Sequence, residues 1–113
     1  MSEDIARIKF VKKMIDSIEV IVSRHGGITA ALADEEEGQK AMLMCLQQIG
    51  ESLNKIKDPA IRGAFNPDDI KGAYDVRMFI AHDYMGVNIA IIERILREKI
   101  PVFKHIVCTL LTV

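Results

Sequence analysis

Residues 42–56 read MLMCLQQIGESLNKI, and their apolar spacing decides the class of fold. Five apolar side chains follow one another at steps of four, three, four and three residues: Met42, Leu46, Ile49, Leu53 and Ile56. Such steps place all five on one face of an α-helix, as in the seam between packed helices. The stretch therefore predicts a long amphipathic helix inside a helical bundle.

A second amphipathic helix is predicted at the N-terminus, over about residues 3–24. Its apolar residues also recur at steps of three and four: Ile5, Ile8, Val11, Ile15, Ile18 and Val22. This spacing gives one apolar stripe for the core, and Gly26-Gly27 ends the helix. A short helical segment then leads to the acidic run at 35–37, which is expected to begin the helix that carries the seam.

A third long helix is predicted from Asn66-Pro67, where Asn caps the helix and Pro takes its first position. It should run to about Tyr84, whereas residues 59–65 before it stay ambiguous. Asn88 is expected to cap the next helix, and Pro101 to restart the chain into the last one.

No stretch alternates as a half-buried strand does. The sequence therefore predicts an all-α fold: an antiparallel four- to five-helix bundle that forms a single domain over residues 1–113.

Composition limits the functions open to this chain. Hydrophobic residues make up 50% of the 113 residues, so part of the apolar surface is expected to be covered by a partner or a second copy. The formal net charge is −1, which does not favour a general nucleic-acid binder. Contact with RNA would depend on a local basic patch, for which the candidates are Lys55, Lys57, Arg62 and Lys71.

Cys45 and Cys108 lie within apolar helical patterns and are interpreted as small buried hydrophobic residues. Isolated cysteines without a signal peptide fit a reducing cytoplasm. No apolar run reaches the ~18 residues of a membrane span. No glycine-rich phosphate loop is present, and no group of residues has zinc-ligand spacing. A cytoplasmic protein is expected, with no membrane contact, metal or cofactor.

One helix end gathers side chains suited to phosphate chemistry. Arg77, His82 and Tyr84 lie in the stretch RMFIAHDY at residues 77–84. Arginine offers a permanent forked charge to a phosphate, and histidine titrates near neutral pH. Together they could cleave RNA through attack by the ribose 2′-hydroxyl, leaving a 2′,3′-cyclic phosphate. The residue types alone also allow a structural interpretation, with a surface Arg, a half-buried His and a packed Tyr.

Helical spacing restricts how these side chains could act together. Arg77 and Tyr84 would share a face of a continuous helix, whereas His82 is rotated from Arg77 by roughly 140°. One straight helix therefore does not aim Arg77 and His82 at one phosphate. A second copy across a two-fold axis, or fraying near Gly86, would bring them together.

Several short motifs, taken in order, resemble those of one known family. Arginine, four residues, histidine, one residue and tyrosine is the spacing of Arg77, His82 and Tyr84. Ile49-Gly50-Glu51 ends the seam, YMGVN follows at residues 84–88, and Ile-Pro opens the last helix at residues 100–101. From about residue 40 to the C-terminus, this order is similar to that of the HEPN superfamily, and in particular of its HepT-like branch.

The resemblance implies a HEPN-like helical homodimer. Many HepT-like proteins are metal-independent ribonuclease toxins whose antitoxin is an MNT-type nucleotidyltransferase. On this resemblance, Arg77 and His82 are the catalytic pair, in a cleft between protomers, with RNA as the substrate. Tyr84 corresponds to the tyrosine that the antitoxin modifies with AMP. The added group would place bulk and negative charge where an RNA phosphate should lie.

Two further residues are predicted to support the site. Glu51 could pair with Arg77 and orient it, and Asp83 follows His82, where its charge would oppose an RNA phosphate. The sequence also departs from the family pattern: Met78 replaces a residue that is commonly polar, and Asp83 replaces a frequent glycine. Ile70 replaces a usual tryptophan. Two alternatives therefore stay open, namely an inactive HEPN dimer that binds a nucleotidyltransferase and a purely structural helical dimer.

Overall fold

The structure is a computed structural model that describes residues 2–112. Its helices are α1 Ser2–His25, α2 Ile28–Ala33, α3 Gly38–Asn54, α4 Pro59–Arg62, α5 Pro67–His82, α6 Ile89–Glu98 and α7 Ile100–Leu111, with a 3₁₀ turn at Tyr84–Gly86. Five of these helices have ten or more residues, namely α1, α3, α5, α6 and α7. The all-α fold and the bundle of four to five long helices are thus confirmed.

The seam of α3 forms the centre of the core. Its four apolar residues within α3, and Ile56 just beyond the helix end, are each at most 4% exposed. α3 packs against α1 on one side and α5 on another, and α7 packs on α1. Burying an aliphatic side chain of this size stabilises a fold by about 1.5–3 kcal/mol relative to its exposure. The four-and-three spacing therefore marks the helix that most of the bundle surrounds.

Polar contacts at both ends of α1 fix its antiparallel direction against α3. At the start of α1, the buried Asp4 carboxylate accepts hydrogen bonds from the backbone N–H groups of Lys57 and Asp58, just beyond α3. At the other end, the His25 ring contacts the Asp34 carboxylate, in the segment just before α3. The bond from Asp58 lowers the pKa of Asp4, which keeps this buried carboxylate charged.

Two predicted helix boundaries are wrong, and in both cases a local aspartate explains why. Residues 35–37 form a turn before α3, because the Asp34 side chain accepts a hydrogen bond from the Glu37 N–H. α5 ends at His82 and does not reach Tyr84, because Asp83 leaves the helical region with φ −146° and ψ 70°. Its carboxylate accepts instead from the Gly86 N–H.

The ambiguous segment before α5 contains the short helix α4. Asp58 caps it by accepting from the N–H groups of Ala60 and Ile61. Arg62 then points back, and its Nη1 donates to carbonyl oxygens at the end of α3, the shortest bond being 2.9 Å to Ile56. The guanidinium therefore caps the C-terminus of α3. No helix in the described part of the chain is long and apolar enough to cross a membrane.

His25 joins the end of α1 to the segment before α3. Its Nδ1 lies 2.8 Å from the Ile21 carbonyl oxygen, and its Nε2 lies 2.9 Å from Asp34 Oδ2. Both partners are acceptors, so both ring nitrogens can donate only when the imidazole is protonated. The hydrogen bond to Asp34, and after it the bond to Ile21, raises the pKa of His25.

We expect the His25 contribution to stability to decrease as pH rises. It is fully present below the ordinary histidine pKa of about 6.5 and is lost as pH rises through the higher pKa of the folded state. Asp34, whose pKa is lowered mainly by His25, stays ionised over this range. The midpoint difference between wild type and His25→Gln in thermal unfolding should shrink from pH ~5.5 to pH ~9. His105→Gln, on the exposed side of α7, is the control; a constant or growing difference for His25→Gln would contradict this assignment.

Candidate active site

Arg77 lies on the side of α5 that faces α3. Its Nε is 2.7 Å from Glu51 Oε2, and both side chains are a little over a quarter exposed, at 27% and 29%. The N–H is not aligned for a hydrogen bond, since Nε is shielded and lacks a hydrogen-bond partner. The contact is therefore an ion pair by distance. It is the pairing that the sequence analysis expected between these two residues.

Two neighbours on α5 complete the surroundings of the Arg77 guanidinium. Nη1 lies 3.1 Å from the Met78 sulfur, and the guanidinium carbon lies 5.9 Å from the centre of the Tyr74 ring. This separation suits a cation–π contact. Glu51, Met78 and Tyr74 thus hold the guanidinium on three sides. No hydrogen bond engages Nη2 within the described chain, which leaves that nitrogen for an external acceptor.

Gly50 sets how closely α3 and α5 approach at this point. A Cβ added at residue 50 would collide with the carbonyl oxygen of Ala73 and would come within 2.8 Å of the Arg77 Cβ. Only glycine allows the two helices to touch along this line. Gly50 is next to Glu51 in the chain. The crossing of the two helices and the placement of the Glu51–Arg77 ion pair therefore both depend on Gly50.

Glu51 holds a second cation with its other oxygen, because Lys55 Nζ lies 3.0 Å from Oε1. The hydrogen bond from Lys55, followed by the charge of Arg77, lowers the pKa of Glu51. The carboxylate therefore stays ionised at neutral pH and can hold Arg77 in place. Partly exposed pairs of this kind add little to stability.

His82, Asp83 and Tyr84 lie where α5 ends, and all three are exposed. His82 is the last residue of α5, and Asp83 turns the chain into the 3₁₀ segment that begins at Tyr84. Tyr84 consequently does not continue the face of Arg77, in contrast to the expectation from the sequence. Arg77 and His82 are five helical positions apart, which corresponds to about 7.5 Å along the axis and about 140° around it. One protomer does not bring them together.

A comparison of the sequence with protein-family models identifies the family of this chain. The model described as "Ribonuclease HepT-like" matches residues 11–110, which run from α1 into α7 and include every predicted site residue. The chain belongs to the HepT-like ribonuclease family. No curated protein and no solved structure matches the sequence.

In this HepT-like protein, most of the predicted basic patch is already paired. Lys55 binds Glu51, and Lys71 Nζ lies 2.9 Å from Asp75. Arg62 caps α3, as described above. Of these four candidates, Arg62 and Lys57 have no ion pair within the described chain, and of these two only Arg62 has side-chain hydrogen bonds. Most of this predicted patch is therefore already engaged within the protein.

Another cation near Glu51, Arg7, was not among the residues predicted from the sequence. It lies on α1 and lines a groove that Glu51 and Lys55 also line. Sequence spacing shows that Arg7 is next to the buried stripe of α1, but not which residues of α3 it faces. No group of three or more His, Cys, Asp or Glu side chains in the described residues is arranged to hold a metal ion.

Proposed function

We propose that this HepT-like protein is a metal-independent endoribonuclease, the toxin of a toxin–antitoxin pair that acts in the cytoplasm as a homodimer. The observation that carries the proposal is the Arg77 guanidinium, held by Glu51 with one nitrogen unengaged, on the same helix that ends in the exposed His82. An oriented guanidinium and a solvent-accessible imidazole are the groups that internal transesterification of RNA requires.

In the proposed reaction, His82 removes the proton from the ribose 2′-hydroxyl. The 2′-oxygen forms a bond to phosphorus, the bond from phosphorus to the 5′-oxygen breaks, and a protonated imidazole gives that oxygen its proton. The products are a 2′,3′-cyclic phosphate and a free 5′-hydroxyl. Arg77 binds the non-bridging oxygens and stabilises the charge that they gain in the transition state.

An apolar surface beside the motif supports the proposed homodimer. Phe79 is 51% exposed, Ile91 54% and Met85 91%. Phe79 and Ile91 line an open groove of about 240 Å³ between α5 and α6. Exposed apolar surface of this kind marks an interaction site in a soluble protein. A second copy on this surface would lie beside His82, which is three residues from Phe79 on the same helix.

The Met78–Arg77 contact favours a second candidate function, that of a catalytically inactive HEPN dimer which binds the nucleotidyltransferase. The Met78 sulfur occupies Nη1 of Arg77, one of the donors that a phosphate would otherwise use. Asp83 adds a negative charge next to His82, although its carboxylate is directed to the Gly86 N–H. In this second candidate function, the protein keeps its fold and the surface that binds the nucleotidyltransferase but does not cleave RNA.

Incubation of the purified chain with single-stranded RNA, with and without EDTA, separates the two candidates. If the chain is a ribonuclease, we expect cleavage that persists in EDTA and fragments that end in a 2′,3′-cyclic phosphate. Mass spectrometry of the fragments identifies these ends. Binding of a nucleotidyltransferase without any cleavage would favour the inactive module. Sedimentation at micromolar concentration tests the dimer, and a monomer there would contradict a site shared between protomers.

We expect AMP to be attached to Tyr84 when the chain is produced together with its nucleotidyltransferase. The Tyr84 side chain is 38% exposed at the end of the motif, so its hydroxyl can be reached. Modification should abolish RNA cleavage, because the AMP phosphate repels the substrate phosphate. Intact-mass and peptide mass spectrometry give the position of the group. Tyr74→Phe, which changes the other tyrosine, is the matched control, and attachment only elsewhere in the chain would contradict the prediction.

A further inference from the structure

A second groove lies on the opposite side of Glu51 from Arg77, between α1 and α3. The α1 residues Arg7, Phe10 and the exposed Glu3 line it together with Gln48, Glu51 and Lys55 of α3. Its volume is about 430 Å³, within the range of small-molecule sites. Glu51 contacts Arg77 and also lines the groove, so the groove borders the candidate active site.

Arg7 is a cation of this groove that has no ion-pair partner within the described residues. Its Nε is shielded from solvent and has no hydrogen-bond partner. No carboxylate of the described residues lies within ion-pair distance of its guanidinium. By contrast, Lys55 and Arg77 both pair with Glu51. A guanidinium with free donors on the wall of a groove is suited to a phosphate, which it can bind through two parallel hydrogen bonds.

The other walls of the groove suit a nucleobase. Phe10 offers a half-buried ring, and bases stack on aromatic faces with little dependence on sequence. The Gln48 amide nitrogen has only a weak contact, 3.8 Å to the Met44 sulfur, so the amide can turn to the edge of a base. An arginine for the phosphate, a ring for the face of the base and an amide for its edge are together the contacts that one nucleotide of a single strand would make.

We infer that the α1–α3 groove binds the nucleotide next to the scissile phosphate of a single-stranded RNA, with Arg7 on its phosphate and Phe10 under its base. The inference rests on the proposed ribonuclease function, since it assigns a binding subsite to that same active site. The groove holds two carboxylates, Glu3 and Glu51, and two cations, Arg7 and Lys55. Since Lys55 pairs with Glu51, Arg7 is the cation of the groove that is left for a phosphate.

Binding of a fluorescent single-stranded RNA oligonucleotide tests this subsite. The measurements use the His82→Ala chain, which keeps the substrate intact, and anisotropy at several salt concentrations. Adding Arg7→Ala should raise Kd about tenfold and reduce the slope of log K against log salt by about 0.7, the loss of one phosphate contact to a single strand. Arg7→Lys should retain the salt slope. Phe10→Leu should raise Kd about tenfold without changing the slope, because only stacking is lost.

Arg24→Ala is the matched control, since it removes a cation from the opposite end of α1. Circular dichroism verifies folding, and Arg7→Gln replaces Arg7→Ala if the alanine variant unfolds. Unchanged Kd and slope in Arg7→Ala, or in Arg7→Gln where it replaces the alanine variant, overturn the subsite. The proposed function stays intact if the unmodified chain still binds and cleaves RNA. Failure of the unmodified chain to bind RNA overturns both. An equal effect of Arg24→Ala also overturns the subsite, because it would indicate general attraction by charge.

Discussion

RNA cleavage by His82→Ala should be slower than wild type by about 10²–10⁴-fold, the usual contribution of a general acid–base group. The substitution should leave the fold intact, because His82 is exposed at the last position of α5. Rates are measured with a labelled RNA under single-turnover conditions, and thermal unfolding is measured in parallel. His105→Ala, which changes another exposed histidine on α7, serves as the control and should cleave at the wild-type rate. Equal rates for wild type and His82→Ala would show that His82 does not take part in cleavage.

Mixing two inactive variants tests whether the site is shared between protomers. Arg77→Ala and His82→Ala chains, each inactive alone, are unfolded, mixed and refolded together. In a shared site, half of the dimers are mixed and each mixed dimer carries one intact site, so roughly a quarter of wild-type activity should return. No activity returns if Arg77 and His82 of the same chain form the site.

Gly50→Ala should destabilise the fold by about 1–3 kcal/mol, the usual cost of overpacking a close contact. The new methyl group would collide with the Ala73 carbonyl oxygen and press on the Arg77 Cβ, so α3 and α5 must separate. For a domain of this size, the expected fall in Tm is at least about 4 °C. RNA cleavage should fall as well, since separation moves Arg77 away from Glu51.

Gly72→Ala is the matched control for this substitution. Residue 72 lies inside α5, and a Cβ added there meets nothing within 4 Å. Replacing such a glycine by alanine should stabilise the helix by about 0.5–1 kcal/mol and leave cleavage unchanged. A Tm for Gly50→Ala equal to or above that of wild type would show that the two helices do not depend on this contact.

Much of the fold could be predicted because local chemistry determines it. The seam from Met42 to Ile56 is buried as its spacing requires, and Asn66 and Asn88 cap α5 and α6 through their side chains. Apolar periodicity could not predict that α3 begins only at Gly38 or that α5 ends before Asp83. In both places an aspartate side chain binds a nearby backbone N–H, and this local bond competes with continuation of the helix.

The candidate site was predictable only where its residues are close in sequence or in a recognised motif. Arg77 and His82 follow from the motif, and the expectation that they do not converge follows from helical rotation. The contact of Gly50 with Ala73 depends on the crossing of two helices, which no spacing within either helix specifies. Arg7 stayed unnoticed for the same reason, because its position opposite Glu51 depends on the register of α1 against α3.

The rotation of about 140° between Arg77 and His82 also has a consequence for dosage. If neither protomer alone assembles the proposed site, folding of the chain is not enough to make it active. Below the dissociation constant of the dimer, the amount of dimer grows with the square of the chain concentration. A small leak in synthesis would then produce little harm to the cell, whereas a tenfold rise in protein would raise cleavage about a hundredfold.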